Sequence, residues 1–193
     1  KKDGTNLGAF RLGVPGEHNI YNALSAIALS DLFELDTDTV KKALAAFKGT
    51  DRRFEYKGSF NGISVIDDYA HHPTEISATL QAAAGYPHRK LWCVFQPHTF
   101  TRTKAFLKEF AKALSASDEI ILAEIYPARE TDNLGISSET LQKEIEALGK
   151  KCYYFPTFSE IEKFISSNLQ AGDLLITMGA GDVVNIGEKL LSK

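Results

Sequence analysis

Cysteine, methionine and tryptophan are scarce: the 193 residues include two cysteines, one methionine and one tryptophan. Cys93 and Cys152 each lie inside a short apolar run, where a free thiol packs as a small core residue. Two cysteines at this spacing match neither a zinc site nor a disulfide framework. Their number and setting favour a reducing compartment, and we expect a cytoplasmic protein.

Long apolar runs are also lacking, since no stretch approaches the roughly 20 residues needed to span a bilayer. The opening segment, KKDGTNLGAF, has neither the apolar middle of a signal peptide nor an initiator methionine. Such a start is typical of the interior of a longer protein. We therefore expect no membrane association, and we expect upstream domains of the same polypeptide as partners.

Neither charge sign is in clear excess, because 22 Lys and Arg oppose 25 Asp and Glu to give a formal net charge of -3. The basic residues are scattered and form no stripe with interleaved aromatic side chains. This pattern argues against nucleic acid as a partner.

Several catalytic motifs are missing. The chain has no G-x-x-x-x-G-K-[ST] phosphate loop, no H-E-x-x-H metal motif and no G-x-S-x-G nucleophile elbow. A G-x-G-x-x-G dinucleotide motif starting at Gly179 would need glycine at the position of Val184. The sequence thus identifies neither catalytic residues nor metal ligands, and the isolated chain looks catalytically incomplete.

The first part of the chain has helical periodicity. Residues 19–32 are rich in Ala and Leu, and Asp36 or Thr37 can cap a second helix that runs to Phe47. Residues 7–14 could form a strand that closes an upstream sheet. We interpret residues 1–50 as a helical remnant of another domain.

From residue 51 onward, apolar β-rich runs alternate with helical patterns, the arrangement expected of βαβ units. Continuous apolar strands are typical of a parallel sheet that is covered on both faces. The pattern predicts an α/β, Rossmann-like, mostly parallel sheet over residues 51–193. Its predicted strands are 63–66, 91–95, 120–125, 152–155 and 174–177, and its predicted helices are 74–84, 103–114, 138–148, 159–169 and 182–191. A hairpin strand over 54–60 precedes them, joined by Asn61-Gly62.

Polar side chains follow the first parallel strand. Asp67, Asp68, Tyr69, His71 and His72 lie within six residues of each other. Ligands of open α/β sheets bind beyond the carboxyl ends of the strands. The simple alternative is a helix cap with an exposed polar loop, but the whole cluster favours a ligand site.

The next strand ends in His98 and Arg102, near the start of a helix. A guanidinium and free backbone N–H groups at such a position both favour a carboxylate or a phosphate, although a lone loop arginine is commonly just solvated. The turn that contains Tyr126 is also polar, without an independent role. Gly179 and Gly181 favour a plain tight turn over a phosphate cradle.

These segments together resemble the Mur ligase family and its folylpolyglutamate synthetase relatives. PGEHNIYNAL at 15–24 resembles the family's G-x-H-N-x-x-N-A motif, and GTDRRFE at 49–55 resembles its linker into a third domain. DDYAHHPTE at 67–75, FQPH at 95–98 and Arg102-Thr103 are similar to the family members that add L-alanine.

The resemblance implies a three-domain protein in which residues 1–50 end the central ATP-binding domain and residues 51–193 form the carboxyl-terminal domain. It implies an ATP-dependent ligase that joins L-alanine to UDP-N-acetylmuramate in peptidoglycan synthesis, through an acyl phosphate. Mg²⁺ would neutralise the ATP phosphates, with its main ligands upstream. The chain alone is then expected to be inactive.

Site residues follow from the matched motifs. The resemblance implies an ATP-binding set of His18, Asn19, Asn22, Arg53 and Asp68. It also implies an amino-acid-binding set of Tyr69, His71, His98 and Arg102, with Arg102 on the substrate carboxylate. His72 could take the place of His71. Members of the family often carry a second arginine where Thr99 stands.

Three alternatives remain open from the sequence. A ligase of the same family that recycles wall tripeptide onto UDP-N-acetylmuramate would need a roomier pocket near Arg102 and Tyr126. A non-catalytic nucleotide-binding module has no need of the acidic and imidazole cluster. A dinucleotide-dependent oxidoreductase is disfavoured by the missing glycine motif.

Overall fold

The protein is described from a computed structural model that covers residues 4–192. Residues 1–3 and 193, the outermost residues of the two predicted domains, lie outside the described part. The chain divides into two compact units, Lys1–Thr50 and Asp51–Lys193. Among the described residues, no helix is both long and apolar enough to cross a membrane.

The first unit contains two helices, α1 (Glu17–Leu32) and α2 (Thr37–Ala46). The Asp36 side chain caps α2 by accepting a hydrogen bond of 2.8 Å from the N–H of Thr39. Within the described residues the segment 7–14 forms no ladder; the strand predicted there would pair with an upstream sheet that these 193 residues do not contain, so it stays a prediction. A strand requires a neighbouring strand; here Gly13 instead donates its N–H to the Leu44 carbonyl, 3.2 Å away.

The second unit is built on one six-stranded sheet of spatial order β1-β2-β6-β3-β4-β5. β1 pairs antiparallel with β2, and the other pairs are parallel. The strands are β1 (Glu55–Phe60), β2 (Ile63–Asp68), β3 (Leu91–Phe95), β4 (Glu119–Leu122), β5 (Cys152–Tyr154) and β6 (Leu174–Met178). The predicted fold class is confirmed.

Helices cover both faces of this sheet. They are α3 (Pro73–Ala84), α4 (Phe100–Ala105), α5 (Leu107–Leu114), α6 (Ser138–Ala147), α7 (Phe158–Asn168) and α8 (Val184–Leu191). Alternate strand residues point to opposite faces. On one face Ile66 and Phe95 pack with residues of α3, α5 and α6; on the other, Val65 and Val94 pack with residues of α7 and α8. Burial of each such side chain contributes about 1.5–3 kcal/mol.

Local signals set most element boundaries. Asn61 and Gly62 have φ of 49° and 77°, as the tight turn between β1 and β2 requires. Capping boxes open α3 at His72 and α7 at Thr157. The predicted single helix over 103–114 is wrong: the helix breaks at Phe106, whose ring packs edge-on against His72 at 4.8 Å between centroids.

The strand order positions the site. β6 returns between β2 and β3, so Asp68, Met178 and Phe95 lie side by side in register. The loops that follow β2, β3 and β6 therefore leave the sheet at one edge. This edge is where an open α/β sheet binds ligands.

Candidate functional site

Five side chains meet beyond the carboxyl ends of the strands and form what we call the edge cluster: Tyr69, His71, His98, Arg102 and Tyr126. Ring centroids are 5.5 Å apart for Tyr69 and His71, 5.9 Å for His71 and His98, and 5.5 Å for His98 and Tyr126. Arg102 Nη1 lies 3.3 Å from His98 Nδ1. All four residues predicted for amino-acid binding are thus brought together.

The two adjacent histidines are separated by the fold. His71 faces His98, and its Nδ1 lies 2.9 Å from the Tyr69 carbonyl oxygen. His72 instead caps α3, accepting from the N–H of Thr74, and packs against Phe106. His71, not His72, therefore belongs to the edge cluster.

Hydrogen-bonding partners indicate the tautomers of both imidazoles. A carbonyl only accepts, so His71 Nδ1 donates to Tyr69 and, in the neutral ring, Nε2 is left as an acceptor. A guanidinium only donates, so His98 Nδ1 accepts from Arg102 and its Nε2 carries the proton. One ring thus offers an acceptor and the other a donor.

The loops after β3 and β4 are joined at this edge. Tyr126 donates its N–H to the Pro97 carbonyl at 2.8 Å, and Thr99 donates its N–H to the Tyr126 carbonyl at 2.9 Å. Thr99 also has a φ of 70°, which costs energy in a residue other than glycine and is common at functional sites. The pairing fixes the stacked rings of His98 and Tyr126 relative to each other.

The helix N-terminus beside Arg102 is already occupied. Glu130 accepts hydrogen bonds from the backbone N–H groups of Phe100 and Thr101 and from the Thr101 hydroxyl. Thr99 Oγ1 accepts from the Arg102 N–H at 3.4 Å. The expectation of free N–H groups at this turn is therefore wrong, and anion binding here depends on the Arg102 guanidinium.

The charges around His98 favour its neutral form. Partial burial, the nearby Arg102 guanidinium and His71 together lower the pKa of His98 below its ordinary value of 6.5, while Glu130 opposes them. His98 is consequently neutral at physiological pH, the state that the contact with Arg102 requires.

Asp68 is turned into the protein rather than toward the edge cluster. It is 4% exposed, and its two oxygens accept from the N–H groups of Phe54 at 2.8 Å and Ala70 at 2.7 Å. Burial raises its pKa despite these bonds. Asp68 thereby anchors the segment that carries Arg53, an exposed residue whose guanidinium lies 5.7 Å from the Tyr69 ring centroid.

The sequence did not single out Arg52, although its side chain makes hydrogen bonds within the site. Its Nε lies 2.8 Å from Asp67 Oδ2, and that carboxylate is fully buried. The signal that could have identified it is Asp67 itself, because a buried carboxylate in a strand needs a charged or hydrogen-bonding partner. Tyr126 and Glu130 were also missed as site residues.

The glycine turn after β6 is closely packed. A Cβ on Gly181 would lie 2.3 Å from Gln96 Oε1, and one on Gly179 would lie 2.8 Å from the Gln96 carbonyl oxygen. Gln96 is 5% exposed and donates to Asp182 Oδ1 at 3.0 Å. Glycine is needed here for close backbone approach, which supports a tight turn rather than a phosphate cradle.

The predicted ATP residues of the first unit lie at the start of α1. Asn19 and Asn22 are joined by a hydrogen bond of 3.3 Å and line an open, mostly apolar depression of about 230 Å³. His18 is exposed and is not part of that lining; its ring lies over Gly16. Within the first unit, two of the three residues therefore share a concave surface.

Comparisons with known proteins identify the family of this chain. The fold and the site together define the class of protein: a Rossmann-like domain whose ligand-binding edge carries an arginine and two imidazoles. The family model described as "Mur ligase, glutamate ligase domain" matches residues 52–181. The chain belongs to the Mur ligase family.

Two relatives of this chain share one name within this family. The chain is 57% identical over 189 residues, 98% of its length, to UDP-N-acetylmuramate–L-alanine ligase of Lachnospira eligens. It is 56% identical over 192 residues to the ligase of the same name from Lachnoclostridium phytofermentans, covering the whole chain. In both comparisons the chain spans 41% of the relative's length.

Solved structures resemble it as well. The UDP-N-acetylmuramate–alanine ligase of Thermotoga maritima superposes with a TM-score of 0.84 at 33% identity, covering 100% of this chain and 41% of that one. A murein peptide ligase of Psychrobacter arcticus gives 0.72 at 29% identity, covering 98% and 40%.

Proposed function

We propose that this chain is the carboxyl-terminal part of an ATP-dependent ligase that joins L-alanine to UDP-N-acetylmuramate in peptidoglycan synthesis. The observation that carries the proposal is the edge cluster, where Arg102 and two imidazoles of defined polarity converge. The 41% of relatives' length that the chain covers supports the assignment of residues 1–50 to the end of a central ATP-binding domain and of residues 51–193 to a ligase domain.

The edge cluster suits a small amino acid. Arg102 pairs with the carboxylate, since guanidinium and carboxylate form strong charge-assisted hydrogen bonds. His98 Nε2–H adds a second donor to that carboxylate. His71 Nε2 accepts a proton from the ammonium group, which must become a free amine before it attacks an acyl group.

Tyr69 and Tyr126 complete the pocket as walls. Tyr69 lies against His71, and Tyr126 lies against His98 with 38% of its surface exposed. Their rings exclude water from the amine and limit the space beside Arg102. A pocket with these walls favours L-alanine over a peptide, as does the higher identity to the alanine ligases.

We assign ATP as a ligand from the resemblance of the motifs and from the chemistry of the residues that would bind it. The apolar depression lined by Asn19 and Asn22 fits a flat purine with amide contacts. Arg53 is exposed and free to reach phosphates or ribose, and Asp68 holds its segment in place. We retain His18 in the ATP set from the resemblance alone.

Mg²⁺ would neutralise the ATP phosphates. Among residues 4–192, no three His, Cys, Asp or Glu side chains form a group that could hold a metal ion. Mg²⁺ commonly binds through one or two carboxylates together with the substrate phosphates, and we assign its main protein ligands to the upstream domains from the resemblance of the motifs. We also propose a cytoplasmic enzyme, because ATP and nucleotide-linked substrates are cytoplasmic.

A steady-state assay of the full-length ligase tests the proposal. ADP release should require both UDP-N-acetylmuramate and an amine, with L-alanine giving a far higher kcat/KM than wall tripeptide. Product mass should match the L-alanine amide. A preference for tripeptide would instead assign the recycling reaction, and the absence of any amine-dependent ADP release would contradict a ligase.

A further inference from the structure

Arg52 joins three parts of the site at once. Its Nε pairs with Asp67 at the end of β2, while Nη1 and Nη2 donate to the carbonyls of Gly181 and Gly179 at 3.1 and 2.8 Å. The same guanidinium lies 4.9 Å from the Tyr69 ring centroid. One side chain therefore holds the loop after β2 and the glycine turn after β6.

The backbone of Arg52 is held as well. Its carbonyl accepts from the N–H of Tyr69 at 2.6 Å, and its own N–H donates to Glu55 Oε2 at 2.8 Å. Its φ of 58° is uncommon for a residue other than glycine. A strained backbone fixed from both sides indicates that the direction of this side chain matters.

The partner of Arg52 is also built into the sheet. Asp67 Oδ1 accepts from the Thr177 hydroxyl at 2.7 Å, and Thr177 is its register partner on β6. With both oxygens bound, the fully buried Asp67 is satisfied only while the guanidinium stays in place. The orientation of Arg52 is thus set by the core.

We propose that Arg52 is the positioning residue of the amine-substrate pocket, acting through the ring of Tyr69 and the turn at 179–181 without touching substrate. This inference rests on the proposed function. The neighbouring Arg53 has a different task, since its exposed side chain is free for a ligand. The two arginines of the linker therefore divide positioning and binding between them.

Lysine tests the role because it keeps the charge but loses the geometry. An ammonium can pair with Asp67, yet it is a compact point charge without the planar fork that reaches two carbonyls and stacks on a ring. A matched control exists at the amino end of the sheet. The Arg89 guanidinium pairs with the carboxylate of Asp173 at 2.8 Å, and the Asp173 side chain is also fully buried. The Arg89 backbone N–H donates to the carbonyl of the neighbouring Gly172.

The experiment compares Arg52→Lys with Arg89→Lys in the full-length ligase. Both should lower the thermal melting temperature. Only Arg52→Lys should raise the KM for L-alanine, by about tenfold. This is less than the roughly 100-fold loss of rate that a 1 Å misplacement of a substrate can cause. The KM for ATP should stay within about twofold in both variants, since Arg52 makes no ligand contact.

Each result decides the matter. An unchanged L-alanine KM in Arg52→Lys, or an equal rise in both variants, overturns the inference while the wild-type activity leaves the proposed function standing. A wild-type ligase that does not use L-alanine overturns both. Should Arg52→Lys fail to fold, Asp67→Asn, which removes the charge that orients the guanidinium, must raise the same KM; no change would overturn the inference.

Discussion

The imidazole rings of His71 and His98 lie 5.9 Å apart although they belong to loops that follow different strands. Their ring nitrogens are polarised in opposite senses, because His71 donates to the Tyr69 carbonyl and His98 accepts from Arg102. In the proposed reaction the His98 N–H binds the carboxylate of L-alanine and the acceptor of His71 takes a proton from its amine, two groups that are bonded to the same carbon. The edge cluster therefore offers a hydrogen-bond donor at His98 and an acceptor at His71.

The pKa of His98 should respond to Arg102. Burial, Arg102 and His71 lower it below 6.5, so Arg102→Gln should raise it part of the way back while the effect of burial remains. NMR titration of the imidazole, assigned with His98→Gln, measures this directly. Lys104→Gln on the same helix is the control, as Lys104 donates to the Leu134 carbonyl and not to His98. A pKa that does not move would contradict the contact.

The same shift affects stability. The unfolded chain binds the His98 proton near pH 6.5, whereas the folded chain binds it only at lower pH. The neutral ring's contribution is therefore fully present above pH 6.5 and is lost as the pH falls through the folded pKa. Urea denaturation from pH 7.5 to 5 should show a weaker pH dependence for His98→Gln than for the wild type. Identical slopes would contradict the lowered pKa.

Replacing Asp68 should weaken both stability and ATP use. In Asp68→Asn, an NH₂ group must face one of the backbone N–H donors of Phe54 and Ala70, so the free energy of unfolding should fall by about 1–3 kcal/mol. Release of the Phe54 segment should also raise the ATP KM of the full-length ligase through Arg53.

Denaturant unfolding and ATP kinetics check this prediction. Asp132→Asn is the control, since Asp132 is exposed and accepts a single N–H bond of 2.9 Å from Leu134. It should change stability by less than about 0.5 kcal/mol. Normal ATP kinetics in Asp68→Asn would remove Asp68 from the ATP set.

The 193-residue chain by itself should not catalyse ligation. The sequence has no G-x-x-x-x-G-K-[ST] phosphate loop. Purified chain supplied with ATP, Mg²⁺, UDP-N-acetylmuramate and L-alanine should release no ADP above the rate without enzyme. The full-length ligase in the same buffer is the control. Robust turnover by the chain would overturn the domain assignment.

Much of the fold could be predicted because local signals agree with the final packing. The β3 and α3 predictions came close to the observed bounds, since an apolar run and a Pro73 helix start each leave few alternatives. The break at Phe106 could not be predicted, because the helical pattern over 103–114 contains no glycine or proline to interrupt it. The pairing of residues 7–14 depends on neighbours that a local pattern does not reveal.

The candidate site was predictable to the extent that it follows the strand ends. His71, His98 and Arg102 were placed together because parallel strands share an edge. The sequence could not choose between His71 and His72, since adjacent residues differ only in side-chain direction, and it gave no role to Arg52. It also could not show that Glu130 occupies the helix start beside Arg102. Those outcomes depend on long-range hydrogen bonds.

The measurement that tests the account most directly is the L-alanine KM of Arg102→Ala in the full-length ligase. Loss of a charged hydrogen bond to the carboxylate should raise it roughly 10- to 100-fold, with the ATP KM nearly unchanged and Lys104→Ala behaving as wild type. Arg102→Lys should recover part of the loss. An L-alanine KM that is unaltered in Arg102→Ala would contradict an amino-acid site at this edge of the sheet.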